Sequence, residues 1–169
     1  MADQIVNRVA KSKLKTIDLE DFYQKGPRAS IDIKNWLFHE LILKEKDFRE
    51  SLKNHDWSQY QNHYIALTCS SDAIIPSWAY MLIATYISPY ALKTIVGNLQ
   101  QLEIAIFQET LHNFNLEEYK DLPVIIKGCS NKPIPETAYI QLIEKIQPVV
   151  KSIMFGEACS TVSLYKKKK

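Results

Sequence analysis

Ten positions of this chain recur after a shift of 59 residues, and that recurrence constrains the fold before any propensity argument begins. Phe48, Glu50, Leu52, Asn54 and Tyr60 fall on Phe107, Glu109, Leu111, Asn113 and Tyr119. Pro76, Ala79, Tyr80, Pro89 and Gly97 fall on Pro135, Ala138, Tyr139, Pro148 and Gly156. Between the two blocks, Cys69-Ser70 and Cys129-Ser130 align once one residue is gapped on each side, and a third pair, Cys159-Ser160, follows the second copy. The reading is a single domain over residues 1–169, with repeats of about 41–97 and 100–156 and a lysine-rich C-terminal tail.

Within each copy the hydrophobic period changes in the same order. An amphipathic helix begins near Leu41, with Leu41, Leu43, Phe48 and Leu52 as its stripe. The β-rich run Tyr64–Thr68 follows, ending at Cys69. Pro76 suits the first turn of a helix over Ser77–Ile87, Pro89 stops it, and Lys93–Val96 reads as a strand closed by Gly97. The second copy predicts a helix over Leu99–Asn113, a strand over Val124–Lys127, a helix over Pro135–Ile146 and a strand over Val149–Phe155. Upstream, Ser30–Ile33 alternates like a further strand, and Lys15–Leu19 suits an edge strand. Strands alternating with helices over short connections predict an α/β fold: three layers, with a largely parallel sheet built from duplicated βαβ units.

In such a fold Cys69, Cys129 and Cys159 all lie just past strand C-termini, the edge where ligands collect. A thiol close to a following helix N-terminus is drawn toward thiolate, the form that attacks and binds metal. Ser70, Ser71 and Ser130 supply hydroxyls there, and Asp72 or Glu157 an oxygen ligand. Cys69, Ser70, Asp72, Cys129, Ser130, Glu157 and Cys159 are therefore the candidate ligand or thiol site, with Cys69, Cys129 and Cys159 as metal ligands. No CxxC pair occurs, so three sulfurs would have to be gathered by the fold. The opposing reading is packing, because cysteine is among the most buried residue types.

Other motifs offer less. His39, His55, His63 and His112 are not spaced as ligands and read as surface or boundary residues, although His39 falls near the end of a first strand. Trp57 with Tyr60, and Leu116 with Tyr119, read as apolar clamps before strands. Trp78, Tyr80 and Tyr139 read as helical core residues. Gly128-Cys129-Ser130 lacks the other glycines of a phosphate loop, and no GxSxG elbow is present.

Four of the 21 basic residues are Lys166–Lys169, which leaves 17 against 19 acids in the body, so dedicated nucleic-acid binding is not expected. The longest apolar run, Trp78–Ile87, is roughly half the ~20 residues needed to span a bilayer, and nothing at the N-terminus resembles a signal peptide. The expected location is the cytoplasm, where an odd cysteine count points to thiols or ligands rather than disulfides.

The stretches Leu43–Arg49, Asn54–Tyr60, Ser77–Met81, Lys127–Ser130 and Met154–Ser160 together resemble an uncharacterised bacterial family, domain-of-unknown-function family 2480. The resemblance covers nearly the whole chain and implies no defined activity. It implies an association with iron–sulfur assembly proteins, which would suit a thiol-bearing accessory role. Three functions stay open: a cysteine-based protein that holds a metal, an iron–sulfur species or a persulfide; a non-catalytic interaction or scaffold protein with structural cysteines; and a thiol-dependent enzyme, which needs a general base beside a cysteine and for which His39 is the one histidine with a suitable expected position.

Overall fold

The computed structural model describes residues 13–128, 130–157 and 160–168. Among the described residues seven strands and four α-helices follow one another as β1 (Lys15–Ile17), β2 (Arg28–Asp32), α1 (Glu45–Asn54), β3 (Tyr64–Thr68), α2 (Ser77–Ile87), β4 (Lys93–Val96), α3 (Leu99–His112), β5 (Pro123–Ile126), α4 (Glu136–Ile146), β6 (Ser152–Glu157) and β7 (Ser160–Lys166). The chain divides into two compact units, residues 24–106 and residues 1–23 with 107–169. The expected parallel strands are present, but they form two sheets rather than one.

In the unit of residues 24–106 the sheet order is β2-β3-β4, parallel throughout. Its centre, Ile65-Ala66-Leu67, is buried residue after residue, as a parallel strand covered on both faces requires. Ile65 and Leu67 pack with Phe48 and Leu52 of α1 and with Ala79, Ile83 and Ile87 of α2. Ala66, on the other face, packs with Leu102 and Ile106 of α3. The spacings 48/52 and 79/83/87 are those that put side chains on one helix face.

In the other unit the order is β1-β5-β6-β7. The first three strands are parallel, and β1 is an edge, as Lys15–Leu19 suggested. Val124 and Ile126 pack with Phe107 and Leu111 of α3 and with Ala138, Leu142 and Ile146 of α4. The register Tyr64↔Lys93 through Leu67↔Val96 recurs 59 residues on, as Pro123↔Ser152 through Ile126↔Phe155.

Several boundaries move by a residue or two, β2 among them at Arg28–Asp32 rather than Ser30–Ile33, and three differences are larger. No helix starts near Leu41: His39 (φ 49°) and Glu40 (φ 61°) turn the chain back, Phe38 pairs with Ile42, and α1 starts at Glu45. Leu41 is consequently exposed, while Phe48 and Leu52 are buried. The expected strand Val149–Phe155 begins later and continues through Gly156 (φ +126°), where a Cβ would run into the Ser160 carbonyl. The C-terminal stretch expected as loop and tail forms β7, antiparallel to β6, so one strand end points away from the shared edge. Among the described residues no helix is long and apolar enough to cross a membrane.

Truncating a fully buried aromatic should dominate stability. Phe48→Ala is expected to cost about 3–5 kcal/mol in a urea unfolding titration. Ile74→Ala, at a position 91% exposed, should stay within about 0.5 kcal/mol.

Candidate functional site

The carboxyl edge of the β2-β3-β4 sheet is organised by Asp32. One carboxylate oxygen accepts the Lys34 amide (3.0 Å), closing the helical turn after β2, and the Ser70 amide (3.1 Å). The other accepts the Ser70 hydroxyl at 2.5 Å. Partial burial alone would raise the Asp32 pKa, but the Ser70 and Lys34 hydrogen bonds outweigh it and hold Asp32 below the ordinary carboxylate value of 3.8. This lashes the first residues of the β3–α2 loop to the end of β2.

Cys69 is the first residue after β3. Its Sγ lies 3.4 Å from the Ser71 hydroxyl and 3.7 Å from the Ser71 carbonyl, and its side chain packs partly buried against the α1/α2 core cluster. Tyr80 of α2 is close enough that burial, and then Cys69, raise its pKa. Among the described residues no three histidine, cysteine or acidic side chains are placed to hold a metal ion.

Beyond Cys69 the same loop opens onto a cavity of about 620 Å³. Leu41, Ile42 and Leu43 form one wall, Ala73, Ile74 and Pro76 another, and Trp78 belongs to the lining from α2. Leu41 is 56%, Ile42 55% and Ile74 91% exposed. The wall at 41–42 comes from a tight turn, in which the Leu41 amide donates to the Phe38 carbonyl (3.2 Å) and Phe38 and Ile42 exchange backbone bonds of 2.8 and 3.0 Å. Positive φ at both central residues is the hairpin signature normally supplied by Asn-Gly. Held by His39 and Glu40, it costs on the order of 1–3 kcal/mol per residue. The Lys44 ammonium sits 3.1 Å from the Phe38 ring centre, bracing the turn. The cavity's charged residues, Glu45 and Asp72, are both acidic; Glu45 pairs with Arg49 at 2.9 Å.

The corresponding edge of the other unit is polar. Asp18 accepts the Glu20 amide (2.9 Å) and pairs with Lys127 at 2.6 Å. Burial would raise its pKa, but these partners lower it. Lys127 is raised by Asp18 first, with Glu20 and Glu157 adding smaller electrostatic effects. Glu20 also accepts the Asn131 amide, and Ser130 closes its own loop through the Lys132 amide and carbonyl. Cys129 and Cys159 lie outside the described residues. Of the sequence-derived site, Cys69, Ser70 and Asp72 share one loop, whereas Ser130 and Glu157 belong to the other unit.

The histidines are dispersed. His39 is exposed in the tight turn against Phe38, and His63 precedes β3, with Nδ1 3.0 Å from the Gln61 carbonyl. His55 lies against Trp36 and Trp57, 3.2 Å from the Tyr60 hydroxyl. Sequence reasoning missed Asp18 and Asp32. The signal was present, because Thr16-Ile17-Asp18-Leu19 and Ser30-Ile31-Asp32-Ile33 share one pattern. It also missed the turn at His39-Glu40, which no turn-forming residue marks.

These features define a mixed α/β protein whose largely parallel sheets present capped loops, and in one unit an apolar cavity, at the carboxyl ends of their parallel strands. The chain belongs to the family described as Protein of unknown function (DUF2480), whose profile matches residues 3–167. No curated protein and no solved structure matches it.

The titrating groups give a pH profile with two separate windows. Burial lowers the His55 pKa below 6.5 and Asp56 only partly offsets this, so the unfolded chain takes up the proton first. Stability should fall as pH drops below about 6.5, and His55→Gln should flatten that part of a thermal-melt series. Asp18 and Asp32 act lower: their contribution is complete above 3.8 and lost as pH falls through their depressed values. The melting difference between wild type and Asp32→Ala should therefore shrink below pH 4 and not between 5 and 8.

Proposed function

We propose that this protein is a non-catalytic interaction module, and that the cavity between the 38–45 turn and the 69–78 loop receives an apolar segment of a partner protein carrying a basic side chain. The observation that carries this reading is the exposure of Leu41, Ile42 and Ile74 around one open apolar cavity. Exposed apolar residues gathered in one place mark interaction sites, whereas scattered ones do not. The cavity lies where ligands collect in parallel α/β sheets. Its two charged residues are carboxylates, and Asp72 is exposed, so a lysine or arginine flanking the apolar segment complements it. In this reading Cys69 is a packing residue. The shared 59-residue register of the two sheets supports a duplicated ancestry, with each unit a layered α/β element.

A second reading keeps Cys69, Cys129 and Cys159 as a site for a metal, an iron–sulfur species or a persulfide. The place of Cys69 at the end of β3, in one loop with Ser70 and Asp72, favours it.

Peptides selected by phage display on the folded full chain separate the two. The interaction reading expects sequences with adjacent apolar residues and a lysine or arginine. Their affinity should fall at least about tenfold with Ile74→Asp and several-fold with Asp72→Lys. It should be unchanged by Cys69→Ser and by Ile140→Asp on α4. Acidic selected peptides, or binding indifferent to Ile74, would contradict it. Stoichiometric metal or acid-labile sulfide in protein purified without oxygen, absent from Cys129→Ser, would move the assignment to the cysteines.

A further inference from the structure

β7 is an outer strand of the four-stranded sheet. At seven residues it is the longest strand among the described residues, and six of the seven side chains are exposed. Natural edge strands are shortened, charged or interrupted by proline so that they do not pair with another chain. From Ser160 to Tyr165 this one carries neither charge nor proline. Its bulge, between the pairs Ile153↔Tyr165 and Met154↔Ser163, leaves the stretch Ser160–Ser163 in regular register.

Val162 is 62% exposed and lies opposite Phe155, so it shares the sheet face on which Phe155 packs against the core. Tyr165, opposite Ile153, packs against the same core. The apolar face therefore continues past β6 onto β7 and ends uncovered at Val162.

We propose that the protein forms a two-fold dimer in which β7 pairs antiparallel with β7 of a second copy, with Val162 at the dyad. The strand is complementary to itself. Lysines begin at Lys166 at one end of the strand, and at the other end Glu157 of β6 lies opposite Ser160. Antiparallel pairing sets the lysine end of each copy beside the glutamate end of the other, whereas parallel pairing would set lysines against lysines. In the register centred on Val162, Thr161 faces Ser163 of the second copy, a favourable hydroxyl pair, and the two valines meet to extend the Phe155 face. This surface belongs to a different unit from the cavity and is independent of it.

The test is mass measurement by light scattering on the full chain at about 100 μM. Wild type is expected at twice the chain mass of 19.6 kDa. Val162→Lys and Val162→Glu should each run at the single-chain mass with an unchanged far-ultraviolet circular dichroism spectrum, since the position is exposed; loss of the dimer lowers the melting temperature by itself. An equimolar mixture of the two should return to the dimer mass, because the charges then meet as opposites. A monomeric wild type, dimeric single variants, or a mixture that stays monomeric overturns the proposal.

Discussion

The rest of the structure depends on burying two short strands on both faces at once. Ile65-Ala66-Leu67 and Val124-Ile125-Ile126 contain no polar side chain and stand at the centres of their parallel ladders. A parallel strand cannot be joined to its neighbour by a tight hairpin, so each pairing requires a crossover, and the crossovers supply covering helices. The same geometry sends every parallel strand's carboxyl end to one edge. Asp32, Cys69 and the cavity are thus consequences of how Ile65 and Leu67 are buried.

The two edges use related devices to different ends. In each unit an aspartate following an isoleucine caps a short helical turn and fixes the loop after the central strand, Asp32 through Ser70 and Asp18 through Lys127. In one unit that leaves a charged surface of Asp18, Glu20, Lys127 and Glu157. In the other, the tight turn at His39-Glu40 holds apolar side chains out beside Ile74. Two non-glycine residues in left-handed conformations oppose folding, so the exposed wall is maintained at a cost.

Much of the architecture was legible in the sequence, because it is written in local periodicity. Tyr64–Thr68, Ser77–Ile87 and Lys93–Val96 form the expected elements over the expected residues. What periodicity cannot report is which strand pairs with which. The separation into two sheets, with β1 reaching across the sequence to β5, depends on long-range contacts. The turn before α1 was hidden because Leu41 and Leu43 fit a helical stripe and His39-Glu40 carries no turn chemistry. β7 was hidden because its exposed faces show no burial alternation, and lysines dominate its end. Cys69 was correctly placed at a strand end, but its hydrogen bonds to Ser71 and its packing against the core came only with the fold.

Hydrogen–deuterium exchange on the full chain would show whether the apolar edge of the β2-β3-β4 sheet is the proposed binding surface. Exchange would be compared with and without a saturating basic-apolar peptide selected on it. Slowed exchange is expected to concentrate in residues 37–45 and 69–78, with the rest of the chain unchanged. Protection confined to other segments, or none in these two despite binding, would contradict it.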